Sequence, residues 1–122
     1  MERTNRIKWI THKGKRILFE DYSGLQEHEI LDALNETQAV YASLSAPVPV
    51  LVDLTNARTD DQFLEEIKRI GKEYEAIIGR IGNVGVSGAK KLLATAYHAV
   101  TAQTNKSGYF SNMEDAKNFL AE

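Results

Sequence analysis

Val48-Pro49-Val50-Leu51-Val52-Asp53-Leu54-Thr55 is the most strand-like run in the chain. β-Branched residues fill it, and they suit the pleated, half-buried surface of a sheet. Pro49 cannot donate to a ladder, so it marks the opening of the strand. A turn-rich segment from Asn56 to Asp61 follows, and then a pattern of helical period. Strand, turn and helix in this order form the unit of a parallel α/β sheet. In such sheets ligands and partners gather beyond the carboxyl ends of the strands.

Upstream, Ile7 to His12 and Lys15 to Glu20 read as two strands around Lys13-Gly14, a hairpin signal. Alternation places Ile7, Trp9 and Thr11 on one face, with Ile17 and Phe19 expected on the same side. Ser23 and Gln26 have the spacing of a capping box. Ile30, Leu34, Thr37, Tyr41 and Leu44 then recur at helical spacing, and Pro47 ends the helix by holding Ala46 extended.

Downstream, Thr59 and Gln62 form a second capping box, with Asp60 and Asp61 in a first turn where the helix dipole favours negative charge. Phe63, Ile67, Ile70, Tyr74 and Ile77 or Ile78 make its buried stripe, and Gly79 is the expected stop. Ile81 to Val86 is the next strand. Ser87-Gly88 opens a third helix carrying Ala89, Leu92, Leu93, Ala96, Tyr97 and Val100 inward. Gly108 to Phe110 is a short last strand, and Ser111 with Glu114 caps a helix docked through Ala116, Phe119 and Leu120.

The order predicts an α/β fold: a single, mostly parallel sheet of about five strands, with an N-terminal antiparallel hairpin and four helices. Val48, Val50, Val52 and Leu54 share one face of the central strand; Pro49, Leu51 and Asp53 share the other. Strands covered on both faces read as continuous apolar runs, whereas these alternate. Helices are therefore expected mainly on one face, with the other thinly covered or meeting a partner, and a homodimer follows as the expected assembly.

The chain of 122 residues is one domain, 1–122, large enough for a core without staples. Its 43% apolar and 26% charged residues fit a globular protein in water. Fifteen basic against seventeen acidic residues argue against nucleic acid, which selects a basic stripe. With no cysteine, disulfides and thiolate metal sites are excluded. The basic start from Arg3 to Lys8 leads into no apolar run of signal-peptide or membrane-spanning kind, so a cytoplasmic protein without a membrane span is expected.

His12, His28 and His98 lie in different elements without ligand spacing, so neither a metal nor a cofactor is expected. Gly85-Val86-Ser87-Gly88 lacks the second glycine of a nucleophile elbow. Gly82 to Gly88 has neither the dinucleotide nor the P-loop spacing. Ser87 and Gly88, with Lys90 and Lys91 behind them, could still bind an anion at a helix start. Asp53, Thr55, Asn56, Arg58, Thr59 and Asp60 form a polar rim at the ligand edge, and Ser87, Gly88 and Lys90 extend it.

The run Val50-Leu51-Val52-Asp53-Leu54-Thr55, the run Arg80-Ile81-Gly82-Asn83-Val84-Gly85-Val86, and the ending Tyr109 to Leu120 together resemble the STAS superfamily. They resemble in particular its SpoIIAA-like domains, relatives of the CRAL-TRIO lipid-binding domains. The resemblance implies a non-enzymatic domain used in regulation, protein docking or binding of a small anionic or lipid-like ligand. It also implies a phosphoacceptor near Thr59, at the start of the helix after the central strand. Arg58-Thr59-Asp60-Asp61 stands there in place of an Asp-Ser-Ser-Gly-type pattern, and the neighbouring aspartates would repel a phosphothreonine. The alternative reading is a small enzyme or anion-binding protein working through Asp53, Thr55, Ser87 and Lys90.

Overall fold

Val48–Asp53 is the middle strand, β3, of a five-stranded sheet in the computed structural model, which describes residues 6–58, 60–85 and 107–122. The other strands are β1 (Ile7–His12), β2 (Lys15–Asp21), β4 (Ile78–Val84) and β5 (Ser107–Phe110), and strand order follows chain order. β1 and β2 pair antiparallel, with Lys13 and Gly14 both at positive φ, 51° and 81°. That is the signature of a two-residue type I′ turn, whose twist matches the strands it joins. The pairs β2–β3, β3–β4 and β4–β5 are parallel. Among the described residues the helices are α1 (Glu27–Ser43), α2 (Asp61–Glu73) and α3 (Met113–Ala121).

The expectation of four helices therefore meets three among the described residues. The segment expected as the helix from Ala89 to Val100 lies outside them. α2 is also shorter than its apolar stripe suggests. It stops at Glu73, and Ile78, read as helical, begins β4. Gly79 lies inside β4 and does not end a helix. A Cβ there would stand 2.9 Å from the Val48 carbonyl oxygen, beside the irregular register at Val48 and Val50. Pro49 sits in that irregularity, one of the few places a central strand tolerates proline.

Val50, Val52 and Leu54 face α1 and α2, where they pack with Leu18, Ile30, Leu34, Tyr41, Phe63 and Ile70. Leu51 faces the other way, against Ile17, Val84, Ala116 and Leu120. The alternation on β3 is as expected, but the inference of a thinly covered face is not. α3 lies across that second face, and self-association through an open sheet surface loses its ground. The hairpin faces are corrected as well. Trp9 pairs with Leu18, while Ile17 and Phe19 pair with Ile10 and Lys8 on the opposite side. A two-residue turn leaves no extra residue to shift the register, so Ile17 belongs with Ile10.

Alternation along β2 also carries Glu20 to the helix-covered face, where it is 3% exposed. Its Oε1 accepts from the Tyr22 hydroxyl at 3.0 Å, and its Oε2 accepts from the Tyr41 hydroxyl. The Tyr22 oxygen also lies 2.6 Å from Thr37 Oγ1, which donates to the Ala33 carbonyl at 3.1 Å. With Glu20 ionised, the hydrogens of Tyr22 and Thr37 must serve three contacts. A protonated carboxyl supplies the third hydrogen: Glu20 donates to Tyr22, Tyr22 to Thr37, and Thr37 to Ala33.

Burial pushes the Glu20 carboxyl from its ordinary 4.5 up to about 7, against the pull of the tyrosine hydroxyls. Burial, and next the Glu20 charge, hold the Tyr22 hydroxyl well above its ordinary range. A carboxyl raised on folding binds more protons in the native state, so stability falls as pH rises from 4.5 to about 7 and is level above. The expected loss over that window is about 3 kcal/mol. Glu20→Gln removes the charge and keeps a donor and an acceptor in place. Urea denaturation at pH 5 and pH 8 is expected to show this loss in the parent protein and little of it in the variant.

Candidate functional site

The carboxyl ends of β2 and β3 feed two turns that are laced together by their backbones. Tyr22 N donates to Asp53 O at 2.9 Å, Gly24 N to Thr55 O at 2.9 Å, and Arg58 N to Leu25 O at 2.9 Å. Leu54 N reaches across to Val84 O at 2.8 Å, which ties the end of β4 to the same rim. The approach is close enough to require glycine at position 85. Its φ is +80°, and a Cβ there would fall 2.3 Å from Thr55 Oγ1.

The sequence-predicted residues divide on this rim. Asp53 Oδ1 accepts from Thr55 N at 3.0 Å and from Thr55 Oγ1 at 2.7 Å. Both side chains are thereby engaged in shaping the turn. Asn56 takes the left-handed conformation, φ 57°, and its carbonyl receives the Gln26 amide at 3.3 Å. Arg58 Nε lies 3.6 Å from Asp60 Oδ2, both side chains being substantially exposed. Thr59, Ser87, Gly88 and Lys90 fall outside the described residues.

The caps differ from the expected boxes. Asp60 is the N-cap of α2 and accepts from Phe63 N at 2.9 Å, where Thr59 with Gln62 was expected. Ser23 donates its hydroxyl to Asp21 Oδ1 at 2.6 Å and so is not a cap, and α1 starts later, after Gln26. Asn112, not Ser111, caps α3 through Asp115 N at 2.9 Å.

Between the first turns of α1 and α2 lies an open depression of about 390 Å³. Ile30, Leu31 and Phe63 supply its apolar surface, and His28, Arg58, Asp60 and Gln62 its polar one. Of the described residues of the predicted rim, only Arg58 and Asp60 line it. His28, noted in the sequence only for its lack of metal-ligand spacing, belongs to it, and neither Gln62 nor the apolar wall was expected as part of a site. A signal for them was present: α1 and α2 follow neighbouring parallel strands, so their first turns must lie side by side. The depression combines apolar area with one cation, one carboxylate, an imidazole and an amide. That suits recognition of an amphipathic group. Glu20 does not line it, and among the described residues no cluster of histidines and carboxylates could hold a metal.

No protein-family model matches the chain, and no curated protein matches it either. Solved structures do. An uncharacterized protein of the DUF3478 family with a SpoIIAA-like fold, from Shewanella loihica PV-4, superposes with a TM-score of 0.71 at 14% identity, covering 93% of this chain and 91% of that one. An anti-sigma-factor antagonist (STAS) domain protein from Planctomyces limnophilus gives a TM-score of 0.62 at 19% identity, covering 95% and 98%. The chain has the SpoIIAA-like fold.

Two substitutions test the rim. Asp60→Ala removes the cap of α2 and is expected to cost about 1 kcal/mol in thermal or chemical denaturation. Gly85→Ala forces both a left-handed alanine and an overlap with Thr55, and is expected to cost roughly 2 kcal/mol or more.

Proposed function

We propose that the chain is a non-enzymatic interaction module of regulatory type that receives a protein partner in the depression between the first turns of α1 and α2. The make-up of that depression carries the reading: an apolar wall of Ile30, Leu31 and Phe63 edged by His28, Arg58, Asp60 and Gln62. A partner's apolar side chain would enter it while its polar neighbours meet the edge, the usual arrangement of an interface core and rim. The anti-sigma-factor antagonist domain that shares the fold acts, as its name says, against another protein. An enzyme is the poorer fit. Asp53 and Thr55 bond each other, and Glu20, the one carboxyl raised toward neutrality among the described residues, is held by tyrosines outside the depression.

A small amphipathic anion is the second reading, favoured by a volume within the range of small-ligand sites, about 300–1,000 Å³. Its carboxylate or phosphate would lie toward Arg58 and His28, its chain against Leu31 and Phe63. No helix among the described residues is long and apolar enough to cross a membrane.

A photo-crosslinking side chain at Gln62 is expected to capture a partner in the native host, and one at Lys72, in the last turn of α2, is not. Leu31→Asp is expected to abolish capture while leaving the thermal midpoint within a few degrees of the parent's. Decanoate titrated into the isolated protein decides the second reading. Shifts of the Leu31 and Phe63 amides before all others would place the ligand in the depression. Equal capture at the two crosslinking positions, together with no decanoate shift, would remove both readings.

A further inference from the structure

We propose that the outer edge of β1 is a docking site for an acidic, extended segment of a partner protein, which adds to the sheet as a further strand. Among the described residues β1 pairs with β2 alone. Asp21 N donates to Arg6 O at 2.8 Å, and the register is unbroken from Ile7–Glu20 to His12–Lys15. In an antiparallel ladder, backbone groups turn toward the partner at every second residue. Lys8, Ile10 and His12 therefore bond inward to β2, while Ile7, Trp9 and Thr11 direct their N–H and C=O groups outward. Three consecutive outward residues are the template that strand addition uses.

The charge around this edge is one-sided. Five of the fifteen lysines and arginines fall between Arg6 and Arg16, with no aspartate or glutamate among them. The rest of the chain carries ten basic residues against all seventeen acidic ones. Two cations stand over rings on opposite faces of the sheet at this edge. Lys8 Nζ lies 5.7 Å from the Phe19 ring, and the Arg16 guanidinium lies 4.2 Å from the Trp9 ring. An incoming strand would meet a positive group on each side, and Lys13 and Lys15 are exposed at the turn beyond.

The nearby acidic groups act on other members of the hairpin. Asp21 is 3.8 Å from Arg6, and Glu114 is 4.0 Å from His12 Nε2. Lys15 Nζ donates to the Glu122 carbonyl at 3.0 Å. Lone lysines on edge strands serve to repel other strands. Here the like charges disfavour a second copy, whose β1 would bring its own cations to the same edge, and they favour a strand of opposite sign. Nucleic acid offers no main-chain partner for Ile7, Trp9 and Thr11, and it would face the net negative charge of the rest of the chain. The edge shares no residue with the depression between α1 and α2, so the two proposals fail separately.

The probe is a short capped peptide alternating glutamate with valine. Its controls are the same peptide with a central proline and a short DNA duplex. Trp9 is the chain's single tryptophan, so its fluorescence reports the edge directly. Saturable fluorescence change is expected, with slowed hydrogen exchange at the Ile7, Trp9 and Thr11 amides and no slowing for the proline peptide. Thr11→Pro removes one outward N–H and no bond to β2, and is expected to weaken the peptide about fivefold. Lys8→Glu combined with Arg16→Glu, both at exposed positions, is expected to weaken it at least as much, about fivefold to tenfold. The proposal is overturned if the peptide fails to bind at millimolar concentration. It is equally overturned if the proline peptide binds as well, if the three amides do not slow, or if the DNA duplex displaces the peptide.

Discussion

The structure depends on one constraint, the parallel pairing of β2, β3 and β4 in the order in which the chain makes them. Crossovers between parallel neighbours are right-handed. When each new strand is laid on the same side of the last, every crossover helix arrives on the same face. α1 and α2 are therefore neighbours before any side chain is considered, and their first turns open beside each other at the carboxyl ends of β2 and β3. The depression that we assign as the contact site is a result of topology, and its chemistry is whatever the chain places in those two turns: His28 and Leu31 in one, Asp60, Gln62 and Phe63 in the other.

The second face needs a different element, because the crossovers through α1 and α2 both run over the first. The C-terminal helix supplies the cover. Ala116 and Leu120 sit over Leu51, Ile17 and Val84, and the absence of a side chain at Gly82 allows the helix to approach: a Cβ there would touch Ala116 and Leu120 at 3.4 Å. The alternating strands that suggested an open face owe their polar positions to other causes. Asp53 is spent on a turn with Thr55, and Asn83 donates to the Gly108 carbonyl at 3.2 Å on the neighbouring strand.

The elements were legible in the sequence where their signals are local. The hairpin at Lys13-Gly14, β3, the apolar stripe of α2 and the closing strand and helix all lie where periodicity put them. Boundaries and caps were less legible because several polar residues competed for one role. At Asp60 and Asn112 the cap is the Asp or Asn next to the expected Ser or Thr, and Ser23 is taken by Asp21. The end of α2 was misplaced because Ile77 and Ile78 continue its stripe, and only pairing with β3 reveals Ile78 as strand. The site was half legible. Arg58 and Asp60 follow from the turn after β3, but His28 and Phe63 join them only once two helices separated by a whole strand are brought together. Glu20 was read simply as the end of a strand, since a single carboxylate at a strand end looks like surface until its two tyrosine partners arrive, one from just beyond β2 and one from α1.

The Glu20 cluster makes folding a proton-consuming reaction near neutrality. Between pH 4.5 and about 7 the unfolded chain holds that carboxylate ionised and the native chain holds it neutral, so each molecule that folds takes one proton from the medium. The heat of unfolding then contains the heat with which the buffer accepts that proton on its release. Calorimetry in an amine buffer and in phosphate at the same pH would yield different enthalpies for one and the same transition. That difference counts the proton independently of any change in stability, and it turns a hydrogen-bond inventory inside the core into a quantity measured in the solvent.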